Sequence, residues 1–569
     1  MTTTNDLTAI EGIDINCSYE MICIDRLNTK VGNLPAGDTT LRPDITTLQG
    51  QVATLTTKMN NSYKVINIKD YGVIGDGVVN DTTSINNAVS AVPANRGILY
   101  FPSGKYLISN TLVISGKTNL LVISDNAEIV VSQLATTAMY FEDCPRLQAV
   151  VGSLTFTTTS SGASATKIGM LYRCTIAGAN FSIKNIKVIG AFQYGLYFIN
   201  HSTGYNSSSI SNCMVDGLSE GTTGIYLNTA TQYVEILDTK IINLLGTGFL
   251  IEGGNNTITG CMAINCRIGC MIDSILGGNL DHSLVNGSTF NHNRACGIFV
   301  RSTQLNMAIS NCKIWANNGP DVLTEAVNSL GKTLRYGVYL ENVKGLVMIG
   351  NTFAHNNQID LGIDGMNTSI INNNVFRSVA TASFTIYEMY TAGTTNHNNQ
   401  ICNNTFNGAS ANAGTLRWCG GRFYLGNMVN DGGYNYLIKD NSGEAGENDM
   451  LMDVNSGDYY IGFANNYVID GLTITTNNTT DPAGQIANIW ILPHATGTAF
   501  KLNFRRNNIS QYTWVRYKTN NVSSIAPYIT ASNIIYNLSQ KAFRIGANNV
   551  VSFTPINNST LGNWVVSSL

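Results

Sequence analysis

Short segments of alternating apolar and polar residues recur along most of the chain. One element reads apolar–x–(Asn or small)–(Asn, Cys or small)–x–apolar, as in "ISNCMV" from Ile210 and "ISNCKI" from Ile309. Its copies begin at residues 183, 210, 236, 258, 285, 309, 348, 371 and 401. A period of two is typical of β-strands, and a repeat of about 25 residues with Asn or Gly corners predicts one coil of a parallel β-helix.

The repeat predicts a stack of such coils. A single coil cannot bury its inward face, whereas coils stacked about 4.8 Å apart pair every strand with the next one. Asn side chains that align at the corners can bridge neighbouring coils. The longer step between residues 309 and 348 predicts an insertion at residues 315–336. The pattern therefore predicts an all-β chain whose main domain, residues 63–440, is a β-helix solenoid.

A Gly- and Asp-rich corner precedes the first strands of this domain. In "VINIKDYGVIGDGVVNDTTSINNAVS", residues 65–90, glycines permit a tight turn between a strand-like run and a helix-like run. Residues 82–92 predict an amphipathic helix with Asp81 or Thr82 as its N-cap. The first coil of a β-helix has an open edge that needs a cover, and we expect this helix to supply it. A phosphate-binding loop does not fit, because the Lys-Ser/Thr pair of that motif is missing.

This corner, followed by "GILYFPSGKYLIS" at residues 97–109, resembles the pectate-lyase-like right-handed β-helix superfamily, and bacteriophage tailspike or tail fibre polysaccharide depolymerases in particular. The resemblance is specific over residues 63–110 and rests on coil period over residues 111–440. It implies a homotrimer of the virion tail, made in the host cytoplasm, that binds and usually cuts bacterial surface polysaccharide such as capsule or O-antigen. The family does not carry its catalytic residues in this corner, so the resemblance assigns none here.

The N-terminal segment, residues 1–62, contains a short heptad pattern. Apolar residues alternate at spacings of four and three in "LRPDITTLQGQVATLTTKM", residues 41–59. This seam predicts a short parallel coiled coil that sets the register of an oligomer held together elsewhere. The alternative is a single amphipathic helix packed on its own domain. Within a tailspike, residues 1–62 would attach the chain to a virion tail or baseplate protein.

The coil element fades after residue 440. Alternating segments joined by Asn and Gly turns predict an antiparallel, sandwich-like domain over residues 441–569, for trimerisation or carbohydrate binding. Its aromatic residues are candidates for stacking on sugar rings, with core or subunit contacts as the alternative: Trp490, Trp514, Tyr517 and Trp564.

Composition narrows the possible partners. Charged residues make up 12% of the chain, half of the usual ~25%, and the formal charge of −3 provides no basic surface for nucleic acid. No apolar run is long enough to span a membrane. Several of the 12 cysteines lie in the repeats, which predicts small core residues. "CMAINCRIGC", residues 261–270, lacks the His pattern of a zinc site, so we expect no metal and no cofactor.

A second repeated element carries the candidate chemistry. It has Gly, three mostly apolar residues and a variable position, as in "GIYLN" from Gly224 and "GFLIE" from Gly248. Strand alternation directs its third and fifth residues outward. The third residues form an apolar and aromatic row: Tyr226, Leu250, Met271, Phe299 and Tyr339. The fifth residues form a mainly charged row: Asn228, Glu252, Asp273, Arg301 and Glu341.

Together the two rows predict a trough for a polysaccharide, since aromatic rings offer faces to sugars and carboxylates supply acid or base. Glu252 and Asp273 lie on successive coils and cannot both ionise without cost, so one should have a raised pKa, as a glycosidase acid needs. We predict that these two are the catalytic pair and that Arg301 orients an acidic sugar. The predicted substrate contacts are Arg301, Glu341, Tyr226, Phe299, Tyr339 and Asn228.

Several alternatives remain open. A lyase of the same fold could use Arg301 and Tyr339 to neutralise a uronate and remove its proton. A non-catalytic adhesin could use the same trough for binding alone, and the charged row could instead be an ion ladder between subunits. Other acids compete for the catalytic role: Asp216, Glu220, Asp321, Glu325, Asp360, Asp364 and Glu388. A carboxyl separation of ~5 Å would favour retention and one of ~6.5–9.5 Å inversion, and rotamers permit both.

Overall fold

The computed structural model describes Gly50 and residues 63–132, 136–159, 167–176, 178–200, 208–273, 282–301, 304–317, 319–323, 335–356, 359–377, 387–392 and 399–407, followed by separate strands up to residue 568. The predicted heptad at residues 41–59, apart from Gly50, lies outside the described residues. Described helices include none that is long and apolar enough to cross a bilayer.

Most strands belong to three columns in which each strand pairs in parallel with the strand of the next coil. The first column contains Lys64–Asn67, Gly97–Phe101, Leu121–Val131, Leu147–Thr158, Phe181–Lys184, Ser208–Ser211, Val234–Leu237, Thr257–Thr259, Leu284–Asn286, Ala308–Ser310, Val347–Ile349, Ile370–Asn372, Gln400–Cys402, Tyr436–Lys439, Asn465–Asp470 and Phe500–Arg505.

The second column shares two long strands, Leu121–Val131 and Leu147–Thr158, with the first. Its other members are Asp76–Asn80, Gly104–Ile108, Ile186–Ile189, Met214–Gly221, Lys240–Leu244, Met262–Ile264, Thr289–Asn291, Lys313–Trp315, Thr352–Ala354, Val375–Arg377, Thr405–Asn407, Ser442–Glu444, Thr473–Ile474 and Asn508–Ile509.

The third column forms a separate 13-stranded sheet. It contains Leu112–Ser115, Thr137–Glu142, Ile168–Cys174, Tyr194–Asn200, Thr223–Leu227, Thr247–Ile251, Ile268–Asp273, Cys296–Arg301, Gln304–Leu305, Tyr336–Lys344, Ile359–Asn367, Tyr387–Ala392 and Phe423–Leu425.

The coil repeat in the sequence is confirmed residue by residue in the first column. The first residues of its copies pair in one continuous row from Ile183 to Ile401. Their side chains are buried in the apolar interior that the three columns enclose. The chain is therefore the predicted all-β parallel β-helix, with coils that stack in register.

The two central residues of the repeat, Asn or small, have different roles at the corner between the first and second columns: the first forms the turn and the second points into the core. Asn212, Asn311 and Asn373 adopt positive φ, where Asn is tolerated better than most residues. The next residue points inward. At this inward position, Asn351 donates to Asn374 Oδ1 at 2.9 Å, and Asn374 donates to Asn404 Oδ1 on the next coil at 3.0 Å. The predicted Asn bridges are thus present as a buried ladder.

Cysteine fills the same inward corner position in earlier coils. Cys213, Cys261 and Cys312 are buried free thiols whose Sγ atoms lie within hydrogen-bonding distance of backbone carbonyls. Burial raises the pKa of the Cys261 thiol to about 12. These residues are core residues, as the sequence predicts.

The predicted capping helix spans Thr82–Ala91 and buries one face, including Ile85, Ala88 and Val89. It packs against the strands Lys64–Asn67 and Leu112–Ser115, so it covers the open end of the stack. Asp81 occupies the N-cap position, but its side chain does not cap the helix.

Instead, the Asp81 carboxylate accepts hydrogen bonds from the backbone of Ile74 at 2.8 Å and Gly75 at 2.9 Å. Asp81 therefore stabilises the backbone of the Gly-rich corner. This corner follows the short 3₁₀ helix Ile68–Tyr71. Gly75 has φ of +68°, and a Cβ there would lie 2.5 Å from the Tyr106 ring. Glycine is required at this corner by both conformation and space.

Parallel pairing continues beyond residue 440, where the sequence pattern predicts the β-helix to end. Asn465–Asp470 and Phe500–Arg505 pair in the first column. Antiparallel pairing joins Asn549–Pro555 to Phe500–Arg505 and to Gly562–Ser568, and it also joins Thr513–Tyr517 to Ala542–Ile545. A separate 4-stranded sheet contains Ile489–Ile491, Thr513–Tyr517, Tyr536–Asn537 and Ala542–Ile545. Trp490, Trp514, Tyr517 and Trp564 lie in these late strands, and their proposed contact with sugars stays a prediction.

Candidate active site

The two predicted outward rows of the third column are aligned in the structure. Tyr226 pairs with Leu250, Leu250 with Met271, and Met271 with Phe299. In the charged row, Asp273 pairs with Arg301. Glu252 follows the last residue of the strand Thr247–Ile251 and therefore lies beside Asp273 in that row.

Glycine at the start of the repeat is explained by close approach between coils. A Cβ on Gly224, Gly248 or Gly269 would lie 2.4–2.6 Å from the carbonyl oxygen of the glycine one coil further along. No larger residue fits that gap without displacing the backbone. The glycines fix where each third-column strand starts, and this keeps the outward side chains in line.

Glu252 is held at a rigid corner. Its backbone N–H donates to Leu227 O at 2.9 Å. A Cβ at Gly253 would lie 1.9 Å from Thr231 O, so only glycine fits after Glu252. Asn256 then donates to Gly253 O at 2.7 Å from a fully buried position. The backbone that carries the Glu252 carboxyl is therefore fixed on both sides.

Glu252 is nearly buried, with 8% of the residue's surface exposed. The Tyr226 hydroxyl donates to Glu252 Oε2 at 2.6 Å. Burial raises the pKa of Glu252, and the charge of Asp273 raises it further, while the Tyr226 hydrogen bond and the Arg301 charge lower it. The net direction is upward, so Glu252 holds its proton to higher pH than an ordinary glutamic acid.

Asp273 is also nearly buried, at 6% exposure. Its carboxylate accepts two hydrogen bonds from Arg301, from Nε at 3.2 Å and from one terminal guanidinium nitrogen. This bidentate ion pair orients both side chains. The sequence predicts that Arg301 orients an acidic sugar, whereas the structure directs its guanidinium to Asp273.

The C-terminal half of the aromatic row is covered, contrary to the open trough that alternation predicts. Phe299 and Tyr339 are 0% exposed, and Met271 is buried beside them. Leu323, from the insertion, is buried in the same apolar cluster. The two rings predicted to contact substrate therefore lie beneath the insertion and do not present faces to solvent.

Three arginines hold the described part of the insertion, residues 319–323, in place. Arg294 Nε pairs with Asp321 at 2.8 Å, Arg267 donates to Val322 O at 3.2 Å, and Arg335 donates to Pro320 O at 2.9 Å. Asp321, a competing catalytic candidate, is therefore engaged in anchoring the insertion.

Two further competing acids have structural partners. Asp216 accepts from Asn243 at 3.1 Å, and Asp360 is buried and accepts from Asn356 at 2.6 Å, at the end of a second Asn ladder. Glu325 lies outside the described residues, as do the side chains of Asp364 and Glu388.

The two remaining predicted contacts flank the site. Asn228 is half-buried, and its Oδ1 accepts from the Thr231 hydroxyl at 2.8 Å. Glu341 is half-buried on the strand Tyr336–Lys344, where it pairs in register with Asp364.

Two tyrosine rings beside Glu252 are not among the residues that the sequence pattern predicted for the site. Tyr197 stacks on Tyr226 with ring centroids 4.6 Å apart, and Tyr194 stacks on Tyr226 at 5.3 Å. All three rings are half-buried. "GLYFI" from Gly195 and "GMLYR" from Gly169 match the second repeat, so extending that repeat by one coil toward the N-terminus would have found Tyr197.

The cluster of Tyr194, Tyr197, Tyr226, Glu252, Asp273 and Arg301 is called the tyrosine–carboxyl site below. It combines a carboxyl with a raised pKa, a second carboxyl in an ion pair and partly exposed rings. Within the described residues, no three His, Cys, Asp or Glu side chains are grouped to hold a metal ion.

Two family models match successive parts of the chain. The model described as rhamnogalacturonase A/epimerase, pectate lyase-like, matches residues 65–271, and the model described as right handed beta helix region matches residues 274–427. The tyrosine–carboxyl site lies at the junction of the two matches.

Individual proteins match a short part of this chain by sequence and a larger part of it by structure. Mannuronan C5-epimerase AlgE2 of Azotobacter vinelandii is 36% identical over 78 residues, which are 14% of this chain and 8% of that protein. Plasmin and fibronectin-binding protein A of Streptococcus pneumoniae is 35% identical over 57 residues, 10% of this chain and 8% of that protein. The chain spans less than a tenth of the length of these curated relatives.

Among solved structures, the A-module of Azotobacter vinelandii mannuronan C-5 epimerase AlgE6 matches with a TM-score of 0.44 at 15% identity, over 60% of this chain and 94% of that one. Bacteriophage CBA120 tailspike protein 3 matches with a TM-score of 0.39 at 12% identity, over 80% and 69% of the two chains. Over residues 65–427 the chain is therefore similar to pectate-lyase-like and right-handed β-helix proteins, and its stack of parallel coils has that fold.

Proposed function

We propose that the chain binds a bacterial surface polysaccharide and cuts it by glycoside hydrolysis at the tyrosine–carboxyl site. The observation that carries this proposal is the environment of Glu252: a nearly buried carboxyl with a raised pKa, hydrogen-bonded to Tyr226 and next to a carboxylate held by Arg301. Hydrolysis of a glycosidic bond needs one carboxyl that donates a proton and a second that acts as base or nucleophile.

Glu252 is the general acid in this proposal. It keeps its proton at a pH where ordinary glutamic acids are ionised, and it can pass that proton to the leaving oxygen as the glycosidic bond breaks. Tyr226 donates to the ionised form of Glu252 and so stabilises the carboxylate left after proton transfer.

Asp273 is the second carboxyl. Its two oxygens accept a bidentate pair of hydrogen bonds from Arg301, which fixes their orientation. As a carboxylate it can activate water or attack the anomeric carbon, and the two roles correspond to inversion and retention. Glu252 and Asp273 are thus neighbouring carboxyls with different partners, and an acid and a base in one site need such different surroundings.

The three tyrosines supply the apolar part of the site. Sugar rings carry C–H faces that pack on aromatic side chains, and hydroxyl groups of tyrosine hydrogen-bond to sugars. Tyr194 and Tyr197 are half-buried beside the carboxyls. They therefore take over the ring-binding role that the sequence assigned to Phe299 and Tyr339.

A polysaccharide lyase is the second candidate within the enzyme class, and the geometry favours it less. The residues expected to serve a lyase were Arg301 and Tyr339. Arg301 pairs with Asp273, and Tyr339 is fully buried. A lyase would have to use another base, such as Tyr226 or Tyr194.

A non-catalytic adhesin is the alternative outside the enzyme class. The Asp273–Arg301 ion pair is compatible with it, because ion pairs of this kind also have purely structural roles. In that case the carboxyls would recognise sugar hydroxyls or a neighbouring subunit.

The biological setting belongs to the same proposal and rests on the resemblance of residues 63–110 to tailspikes. The chain would act as a homotrimer on a virion tail, attached through residues 1–62, and would work at the bacterial cell surface. Sedimentation equilibrium of the full chain gives its subunit number directly, and a monomer would contradict the trimer.

The proposed activity is tested on a panel of purified capsular polysaccharides and O-antigens. Each is incubated with the protein and separated by size-exclusion chromatography, with polymer mass and ultraviolet absorbance recorded together. We expect a fall in mass without new absorbance for at least one polymer. A fall with new absorbance would identify a lyase, since elimination leaves an unsaturated product, and a polymer that is bound but uncut would identify an adhesin.

A further inference from the structure

The outward aromatic row continues toward the N-terminus beyond the tyrosine–carboxyl site. Tyr140 pairs in register with Leu171, Leu171 with Tyr197, and Tyr197 with Tyr226. All four are half-buried, unlike the covered residues at the other end of the row. The part of this face that reaches solvent therefore runs from Glu252 toward the capping helix.

A second polar cluster lies at the far end of this open row. The Tyr140 hydroxyl donates to Glu142 Oε1 at 3.0 Å. Arg173 pairs in register with Glu142 on the next coil, and its side chain is exposed. Tyrosine, glutamate and arginine thus recur in the same rows that hold Tyr226, Glu252 and Arg301.

The spacing between the two clusters follows from the coil stack. Three strand-to-strand steps separate Arg173 from the coil of Glu252, through the strands Tyr194–Asn200 and Thr223–Leu227. At about 4.8 Å per step, the two lie about 14 Å apart along the helix axis. Leu171, Tyr197 and Tyr226 line the interval, so a short stretch of glycan laid along the axis would contact apolar surface throughout.

We propose that Tyr140, Glu142 and Arg173 form a distal subsite that binds an acidic sugar residue of the same polysaccharide that is cut at Glu252. The inference rests on the proposed function. It adds the class of substrate, a carboxylated glycan, and the direction of the bound glycan, which runs along the helix axis from Glu252 toward the capping helix. An exposed guanidinium with its fork of N–H donors matches a carboxylate. Glu142 and the Tyr140 hydroxyl are placed to bind hydroxyl groups of the same sugar.

This assignment differs from the role that the sequence gave to Arg301. Arg301 is 19% exposed at its side chain and already holds Asp273. Arg173 is exposed, and its side chain hydrogen-bonds the Tyr140 hydroxyl within the proposed subsite. The acidic sugar is therefore recognised away from the reacting bond, where remote binding can position the chain for cleavage.

Arg173→Gln tests the subsite, with Lys187→Gln as the matched control. Lys187 is an exposed cation one coil further along, on the second column. Binding is measured in the Glu252→Gln background, so that the polymer stays intact. The probe is the polymer of the panel that the wild-type protein cuts, in native form and after reduction of its uronic carboxyls to alcohols.

We expect Arg173→Gln to weaken binding of the native polymer about tenfold, the loss expected for one charge-assisted hydrogen bond. Reduction of the carboxyls should weaken binding to the unchanged Arg173 protein by a similar factor. The reduced polymer should bind equally to the Arg173→Gln and Lys187→Gln proteins, because the partner of Arg173 is then missing.

Equal affinity of Arg173→Gln and Lys187→Gln for the native polymer would overturn the distal subsite while cleavage by the wild-type protein leaves the proposed function intact. A changed subunit number in Arg173→Gln would also overturn it, because Arg173 would then be a subunit contact. Wild-type protein that neither binds nor cuts any polymer would refute the proposed function, and this inference with it.

Discussion

The hydroxyl of Tyr226 and the carboxyl of Glu252 are joined by a 2.6 Å hydrogen bond between successive coils. Burial raises the pKa of Glu252, and the donated hydrogen bond opposes that rise. The same contact and burial raise the pKa of Tyr226. The pair therefore sets how tightly the proposed general acid holds its proton.

Tyr226→Phe should move the alkaline limb of the pH–rate profile to higher pH. The substitution removes the hydrogen bond that lowers the Glu252 pKa, so the carboxyl stays protonated to higher pH. Activity that depends on a protonated acid is lost as pH rises through its pKa. The measurement is the rate of polymer cleavage from about pH 4, near the ordinary glutamic acid pKa, to about pH 9.

Tyr197→Phe is the control for this shift. Its ring stacks on Tyr226, but the hydrogen bond to Glu252 comes from Tyr226. An unshifted profile in Tyr197→Phe alongside a shifted one in Tyr226→Phe would support the assignment. A shift of the Tyr226→Phe limb toward lower pH would contradict it.

The free energy of unfolding should also depend on the ionisation of Glu252. A carboxyl whose pKa is raised by folding stabilises the protein fully below its unfolded pKa, about 4.3 for glutamate, and that contribution is lost as pH rises through the folded pKa. Glu252→Gln removes the ionisation. Its free energy of unfolding should therefore improve relative to wild type as pH rises from about 4 to about 8.

Chemical denaturation at the two pH values measures this difference. Glu235→Gln is the matched control, because Glu235 lies exposed on the first column. The pH dependence of Glu252→Gln is judged against that of this control. A Glu252→Gln protein that loses stability relative to wild type as pH rises would show that the folded pKa is lowered and not raised.

The Asn ladder should carry much of the stability of the later coils. Asn374 is fully buried, accepts two hydrogen bonds from Asn351 at 2.9 Å and donates to Asn404 and Met348 O at 3.0 Å. Asn374→Ala would leave several buried polar groups unpaired. We expect it to lower the free energy of unfolding by about 3 kcal/mol.

The neighbouring residue offers a close control for the ladder. Asn373 is exposed and adopts φ of 54°, a conformation that glycine reaches without strain. Asn373→Gly should change the free energy of unfolding by about 1 kcal/mol or less. Equal losses in the two variants, measured by denaturant titration, would mean that the ladder contributes no more than the turn itself.

The coil architecture was readable from the sequence because inward residues recur at a nearly constant interval. Ile183, Ile210 and Ile401 mark the same row, and their register follows from the repeat alone. The outward rows were predicted for the same reason. Period-two alternation decides which face a side chain takes once the strand is aligned.

Alternation does not reveal what lies over an outward side chain. Phe299 and Tyr339 point away from the main core as predicted, yet Leu323 covers them. The insertion that brings Leu323 there has no periodic pattern, and Arg267 and Arg294, which lie outside it in the sequence, hold it in place. Its position depends on tertiary contacts that no local rule contains.

Predictions from local sequence were also wrong where a side chain bonds to a group outside its own helix or strand. Asp81 occupies the N-cap position, and a preference scale predicts that it caps the helix, but its carboxylate binds Ile74 and Gly75 instead. Arg301 was correctly placed next to Asp273, whereas its pairing with that carboxylate was not predicted.

The most direct test of the account compares cleavage and binding in Glu252→Gln and Asp273→Asn, with Glu235→Gln as control, on the polymer that the wild-type protein cuts. The account predicts that both amide variants bind the intact polymer with wild-type affinity while their cleavage rates fall at least about a hundredfold, as expected for loss of a general acid or base. Unchanged cleavage in both variants would contradict it, because the carboxyls of Glu252 and Asp273 would then have no part in the reaction.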